Sequence, residues 1–222
     1  MAVTQEHIDK VLEETEEEGN PVLRVAPVNV RIPGMPPEWA PVLADPDARL
    51  ETLKVLWAPI AHRVPKIMRS LKRSLQGVGL LTTKARPPSI VYFLTMEEDD
   101  EPYFYRGYAP TKKLSKHAKD LPEEFLDFYK VHDGWVNPFL FMGPLPSDDW
   151  SLLGTQEPSN KFLTVFMGNG GELLGYDLRQ SPALCYLLPS GDAPPEVVPK
   201  VWARIDRWVS TQMEDKIPYR AR

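Results

Sequence analysis

The chain has 222 residues, 42% of them hydrophobic, a formal net charge of −5 and a single cysteine, Cys185. One cysteine excludes an intrachain disulfide, and the acidic balance argues against nucleic acid as the main partner, because phosphate binding needs a basic surface. The 24 prolines are about twice the usual share, so many must sit in loops and at element boundaries, where a fixed φ and a missing N–H do little harm.

Taken in chain order, residues 4–18 read as a helix. Thr4 is placed to cap it, and His7 occupies the position where a capping box carries Glu. Ile8, Val11, Leu12 and Thr15 form a thin apolar stripe, and Gly19-Asn20-Pro21 ends it. The proline-rich stretch 21–44 reads as an extended arm that wraps the domain or pairs at a sheet edge. A long helix then opens with Asp45 as cap and Pro46 in the first position. Pro59 and Pro65 kink or split it, and its second part, VPKIMRSLKRSLQGVG, runs to Gly77 or Gly79.

Beyond Pro87-Pro88 the pattern changes to a hairpin: SIVYFLTM, a charged turn EEDDEP, then YFYRGY. Residues 112–119, KKLSKHAK, read as a short basic helical link. Asp120-Leu121-Pro122-Glu123-Glu124 provides a cap, an early proline and acids for a helix first turn, and Gly134 closes that helix. Strands follow at 139–142 and 162–167, a Gly168-Asn169-Gly170-Gly171 hairpin turn, and strands at 173–178 and 183–188. Pro194-Pro195 opens a last amphipathic helix with the stripe Val198, Val201, Trp202, Ile205, Trp208, Val209 and Gln212. This order predicts an α+β fold: an antiparallel meandering sheet flanked by helices, with a mostly helical, proline-rich extension over 1–86, an α+β domain over 87–213 and a tail over 214–222.

Chemistry-bearing patterns are sparse. His7, His62, His117 and His132 have no ligand spacing to one another or to Cys185, so no metal and no cofactor are expected. His132 suits a helix end as a cation, and Cys185 in the run ALCYLL reads as a buried, inert thiol. The chain lacks a G-x-S-x-G elbow, and the GNGG turn lacks the G-x-G-x-x-G spacing of a pyrophosphate cradle. Asp148-Asp149 is a carboxylate pair that suits acid–base or metal chemistry or, more often, the capping of the turn SDDWSLLG. KIMRSLKR suits a phosphate or membrane surface, or a solvated basic helix face. The acidic runs are Glu13, Glu14, Glu16, Glu17 and Glu18, and Glu97, Glu98, Asp99, Asp100 and Glu101. With Tyr103, Tyr105, Arg106 and Tyr108 beside it, the second run combines aromatic and Arg anchors with a charged rim, as protein interfaces do. Asp148, Asp149 and Trp150 complete the candidate contact set. No signal-peptide pattern opens the chain and no stretch approaches the roughly 18 apolar residues of a membrane span, so a cytoplasmic protein without membrane or nucleic-acid partners is expected.

Over about residues 115–213 the chain resembles the SUKH superfamily, the relatives of a fungal cell-wall-assembly regulator and of bacterial toxin-immunity proteins. The resemblance lies in Leu121-Pro122-Glu123-Glu124 with Phe128-Tyr129, then His132-Asp133-Gly134 where the family has Asn-Gly-Gly. It continues in Gly143-Pro144-Leu145, in the hairpin strand from Gly171-Glu172 through Tyr176-Asp177-Leu178, and in a closing helix with Trp202 and Trp208. It implies a non-enzymatic domain that binds and neutralises a cognate toxin stoichiometrically. Acidic loops would steer a basic toxin surface. Two alternatives stand beside it: a regulatory scaffold with several partners, using the N-terminal helix and proline-rich arm as flexible segments, and an enzyme using Asp148, Asp149 and His132.

Overall fold

The computed structural model describes residues 3–45, 49–95, 102–111, 113–140, 142–153, 161–191 and 193–214. The fold is α+β and is built on two antiparallel sheets. The first runs β1-β2-β3-β4-β5 in space, with β1 Val22–Val25, β2 Leu75–Thr82, β3 Ser89–Thr95, β4 Pro102–Tyr108 and β5 Trp135–Val136. The second runs β11-β10-β9-β8-β6, with β7 also paired to β8. Its strands are β6 Gly143–Pro144, β7 Ser151–Leu152, β8 Phe162–Met167, β9 Leu173–Asp177, β10 Leu184–Leu188 and β11 Glu196–Val197. A bridge between Asn137 and Met142 ties β5 to β6 and so links the sheets.

Helix α1, Gln5–Glu14, starts as its signals predict but ends before the predicted residue 18, and a 3-10 turn, Glu16–Glu18, leads to Gly19. Thr4 Oγ1 accepts from the His7 N–H, and Nδ1 of His7 reaches back to the Thr4 N–H, so an imidazole completes the capping box. Val11 on this helix packs with Leu81, Val91, Phe93 and Phe104 over one face of the first sheet. The proline-rich arm contributes β1, an edge strand on β2, and the short helix α2, Ala40–Ala44. Pro46 lies outside the described residues, and helix α3 is Arg49–Trp57. Pro65 then starts a separate helix α4, Pro65–Ser74.

Helix α4 stops at Ser74, short of the predicted Gly77 or Gly79, and the chain continues as β2 between β1 and β3. The two glycines are close-approach residues in a strand rather than helix ends. A Cβ on Gly77 would sit 2.5 Å from Val3 Cγ2, and one on Gly79 would sit 3.1 Å from both Leu23 Cδ1 and Phe93 Cε2. The boundary drawn at 86/87 therefore falls inside a hairpin, because β2 and β3 pair from Leu75/Leu94 to Leu81/Ser89. Residues on both sides of it share the main core, among them Trp57, Ile67, Tyr92, Phe125 and Ile205.

Other departures are local. Asp120 ends a short 3-10 turn, Lys116–Asp120, and α5, Glu123–Leu126, starts after Pro122 without a side-chain cap. A 3-10 turn, Asp127–Lys130, extends it. Residues 138–140 are a turn rather than a strand; the Asn137 carboxamide oxygen accepts from the Leu140 N–H there. Pro194-Pro195 precede β11, and the last helix, α6 Val201–Met213, begins later. This helix supplies the cap that α4 lacks: Asp206 accepts from the backbone N–H groups of Lys66 and Ile67 at 2.8–3.2 Å. Trp202 anchors α6 to α5 by donating to the Glu124 carbonyl and stacking on Phe125. No helix among the described residues is long and apolar enough to cross a membrane.

Candidate functional site

Alternation along β4 sorts its residues onto two faces. Tyr103 and Tyr105 point into the main core, at 4% and 0% exposure. Tyr105 stacks on Trp135, and Tyr103 donates its hydroxyl proton to the Met213 carbonyl. Burial pushes the Tyr105 phenol well above its ordinary value. Neither side chain offers an anchor to a partner, because both already fill the interior.

Arg106 and Tyr108 lie on the other face. Arg106 is buried, yet it keeps its charge paired: Nη1 reaches Glu18 Oε1 at 2.6 Å and Nε reaches Ser89 Oγ at 2.7 Å. Its guanidinium lies over the Tyr108 ring, 4.4 Å from the centroid. Glu18 also accepts from the Thr83 hydroxyl. The chain that leaves α1 is thus fixed to the first sheet by one acid from its acidic run.

The remaining acids of that run, Glu13, Glu14, Glu16 and Glu17, are exposed and have no cationic partner among the described residues. They form one lip of a cleft of about 1050 Å³. The facing wall is apolar, with Val136, Leu145, Leu152, Met167 and Leu173 from the junction of the two sheets. Tyr108, Asn137 and Asp149 also line it. Asn137 is 1% exposed, its oxygen is used by Leu140, and its Nδ2 has no partner. Arg106 Nη2 is a second buried donor without a partner.

The other predicted contact residues are dispersed. Asp148 and Asp149 are exposed in a 3-10 turn, and Asp149 pairs with Arg86 at 3.1 Å. Trp150 is buried, donating to the Tyr129 hydroxyl and the Leu145 carbonyl. Glu97, Glu98, Asp99, Asp100 and Glu101 lie outside the described residues. Of the predicted set, the cleft collects Tyr108 and Asp149, with Arg106 bracing its acidic lip from behind. Sequence reasoning noted the first acidic run without placing it at a site. The available signal was an amphipathic helix ending in five acids with only Lys10 at pairing distance, three and four residues before Glu13 and Glu14. Asn137 and the apolar wall had no signal of their own, because they are assembled by the sheet junction.

The groups considered for catalysis do not converge. His132 is fully buried, with Nε2 2.6 Å from the Tyr92 hydroxyl, which accepts from the Trp57 indole N–H. Burial pushes its pKa down to about 3; the Tyr108 carbonyl opposes this, though no hydrogen bond of good geometry reaches Nδ1. It is therefore a neutral core side chain and not a cation at a helix end. Asp148 and Asp149, by contrast, are exposed. Asp133 holds the Ser147 N–H and hydroxyl, and its carboxyl is raised by burial. The Cys185 thiol is buried and pushed up to about 12. Among the described residues no group of three or more His, Cys, Asp or Glu is arranged to hold a metal ion. The exposed Lys66, Arg69, Lys72 and Arg73 make α4 basic on its solvent side. Comparison with protein-family models, curated proteins and solved structures gives no match for this chain.

Proposed function

We propose that this chain is an immunity protein that binds a protein toxin stoichiometrically and neutralises it in the cytoplasm of the producing bacterium. The observation that carries this reading is the cleft: four exposed glutamates with no cationic partner among the described residues, lining one cleft with an apolar wall from the junction of the two sheets. A charged rim beside an apolar floor is the composition of a protein-docking surface, where complementary charge steers encounter and apolar contact holds the complex. The SUKH resemblance over residues 115–213 supports the same class.

The scaffold alternative asks for a flexible N-terminal segment. Residues 3–25 instead pack on the first sheet through α1, Glu18 and β1, which favours a single docking body. The test is co-expression with the product of the neighbouring open reading frame. Growth should be restored and the two proteins should co-elute as a complex that weakens with salt. A toxic neighbour that this chain neither rescues nor binds would remove the proposal.

A further inference from the structure

We infer that the cleft receives an extended segment of the partner in which basic and apolar residues alternate. The inference deepens the binding role proposed above and rests on it only for the identity of the natural partner.

The geometry argues for each part of that description. In an extended strand successive side chains point to opposite sides. A segment lying in the cleft therefore presents one set of side chains to the glutamate lip and the other to the apolar wall. Glu13, Glu14, Glu16 and Glu17 select Lys or Arg on the first side, since each is exposed and none has a cation to pair with among the described residues. Leu145, Leu152, Met167 and Leu173 select aliphatic side chains on the second. Leu152 is 43% exposed, which leaves apolar surface to cover. At about 1050 Å³ the cleft lies at the upper end of sites that hold small molecules, and room for several residues is what a peptide segment needs.

Glu18 shows why the lip keeps its shape. Its carboxylate is fully engaged by Arg106 and Thr83, so it anchors the turn that carries the other acids. The lip is thus held in place before a partner arrives, and little ordering cost remains.

The test uses the full chain and three dye-labelled synthetic peptides: alternating Arg and Leu, alternating Glu and Leu, and alternating Arg and Ser. Fluorescence anisotropy is read at low and high salt. The Arg–Leu peptide should bind, weaken with salt, and exceed both others by roughly tenfold or more. Replacing Glu13, Glu14, Glu16 and Glu17 together by Gln should cost a similar factor, as should Leu152→Asp; all five side chains are exposed, so the fold is retained. Equal affinity for the Arg–Ser peptide would overturn the inference, because the wall would then be idle. Unchanged binding in both variants would overturn it by moving the contact elsewhere. Calcium titrated alone, bound by the native chain and lost in the Gln variant while no peptide binds, would assign the lip to a cation instead. The two readings fail separately. Cleft variants that still rescue toxin-expressing cells sink the cleft and leave neutralisation standing; peptide capture at the cleft without any rescue does the reverse.

Discussion

The two faces of the first sheet come from alternate residues of the same strands, and they treat polar groups in opposite ways. On the inward face Tyr92, Tyr105 and Trp135 meet Trp57 and His132, with ring centroids 4.2–6.2 Å apart. The polar atoms there are neutral, and Trp57, Tyr92 and His132 form a chain of hydrogen bonds that ends at the His132 ring, whose Nδ1 has no partner. On the outward face Phe93 and Phe104 lie under α1, but the strand end turns to Arg106 and Tyr108, under Glu18 and beside the acidic lip. Buried polar groups on one side specify the packing; on the other side Arg106 and Glu18 form an ion pair, and the neighbouring glutamates are left facing solvent, where they can meet a partner. The residue type alone does not separate these roles, since a tyrosine sits on each.

The largest expected effect lies on the inward face. Trp57 is fully buried and its indole touches the Tyr92, Phe128, His132 and Trp135 rings. Trp57→Ala should cost about 3–5 kcal/mol, the range for removing a buried aromatic. Urea unfolding followed by tryptophan fluorescence or circular dichroism reads it. A loss below about 1 kcal/mol would mean that this face is loosely packed, and the contrast with the outward face would collapse.

Next comes the pH dependence set by His132. The unfolded imidazole takes up a proton near 6.5, whereas the folded one, held neutral by burial, does so only near 3. Because the unfolded state binds the extra proton in that window, stability is complete above 6.5 and falls as pH drops toward 3. His7 is shifted in the same direction by its own burial and adds to the slope. His132→Gln should flatten the limb by up to about one proton per molecule unfolded. Asp177 acts in a lower window. Its carboxylate, held by Arg179 and Gln180, is depressed to about 2 from 3.8, so its contribution is present above 3.8 and disappears as pH falls through 2. Asp133 and Asp206, whose carboxyls burial raises, act in the opposite sense, so the difference between wild type and variant is what isolates the imidazole; identical limbs in the two would contradict the neutral buried His132.

A smaller effect is steric. A Cβ on Gly107 would lie 2.6 Å from His132 Nδ1 and 2.7 Å from Cε1. The ring is fixed by Tyr92, so Gly107→Ala should destabilise by about 1–3 kcal/mol, as overpacking does. The control is Gly191, where an added Cβ meets nothing within 4 Å; Gly191→Ala should stay within about 0.5 kcal/mol. Equal costs at both positions would show that the His132 pocket can yield.

Much of this architecture was legible from local signals. The Thr4 cap, the proline split before α4, the β3–β4 hairpin and the GNGG turn each follow from a few adjacent residues. What was hidden depended on distant neighbours. Gly77 and Gly79 look like helix ends until Val3, Leu23 and Phe93 are seen pressing on them. Asp206 looks like a solvated helix acid until it caps α4 from 140 residues away. The partner-contact candidates on β4 were half legible: alternation separates Tyr105 from Arg106, but only the core from α3 and β5 shows why Tyr105 is unavailable. The cleft itself was not legible, because its wall is drawn from both sides of the β5–β6 turn and its lip from the end of α1 and the 3-10 turn after it, more than 100 positions earlier.

The smallest expected stability effect is the one that bears most directly on the outward face. Arg86 and Asp149 pair at 3.1 Å with both side chains more than a third exposed. Such a pair contributes at most about 1 kcal/mol, so Arg86→Ala should leave the urea midpoint nearly unchanged. Asp149 lines the cleft, however, and Arg86 is the cation that neutralises it. Removing Arg86 adds one unpaired carboxylate to the acidic rim. The Arg–Leu peptide should then bind somewhat more tightly at low salt, and the gain should vanish as salt is raised, since exposed charges are screened within about 10 Å at 0.1 M. A loss of stability above about 2 kcal/mol would make this pair part of the framework. A peptide affinity that falls instead would mean that Arg86 itself faces the ligand, and the outward face would then be reading acidic groups as well as basic ones.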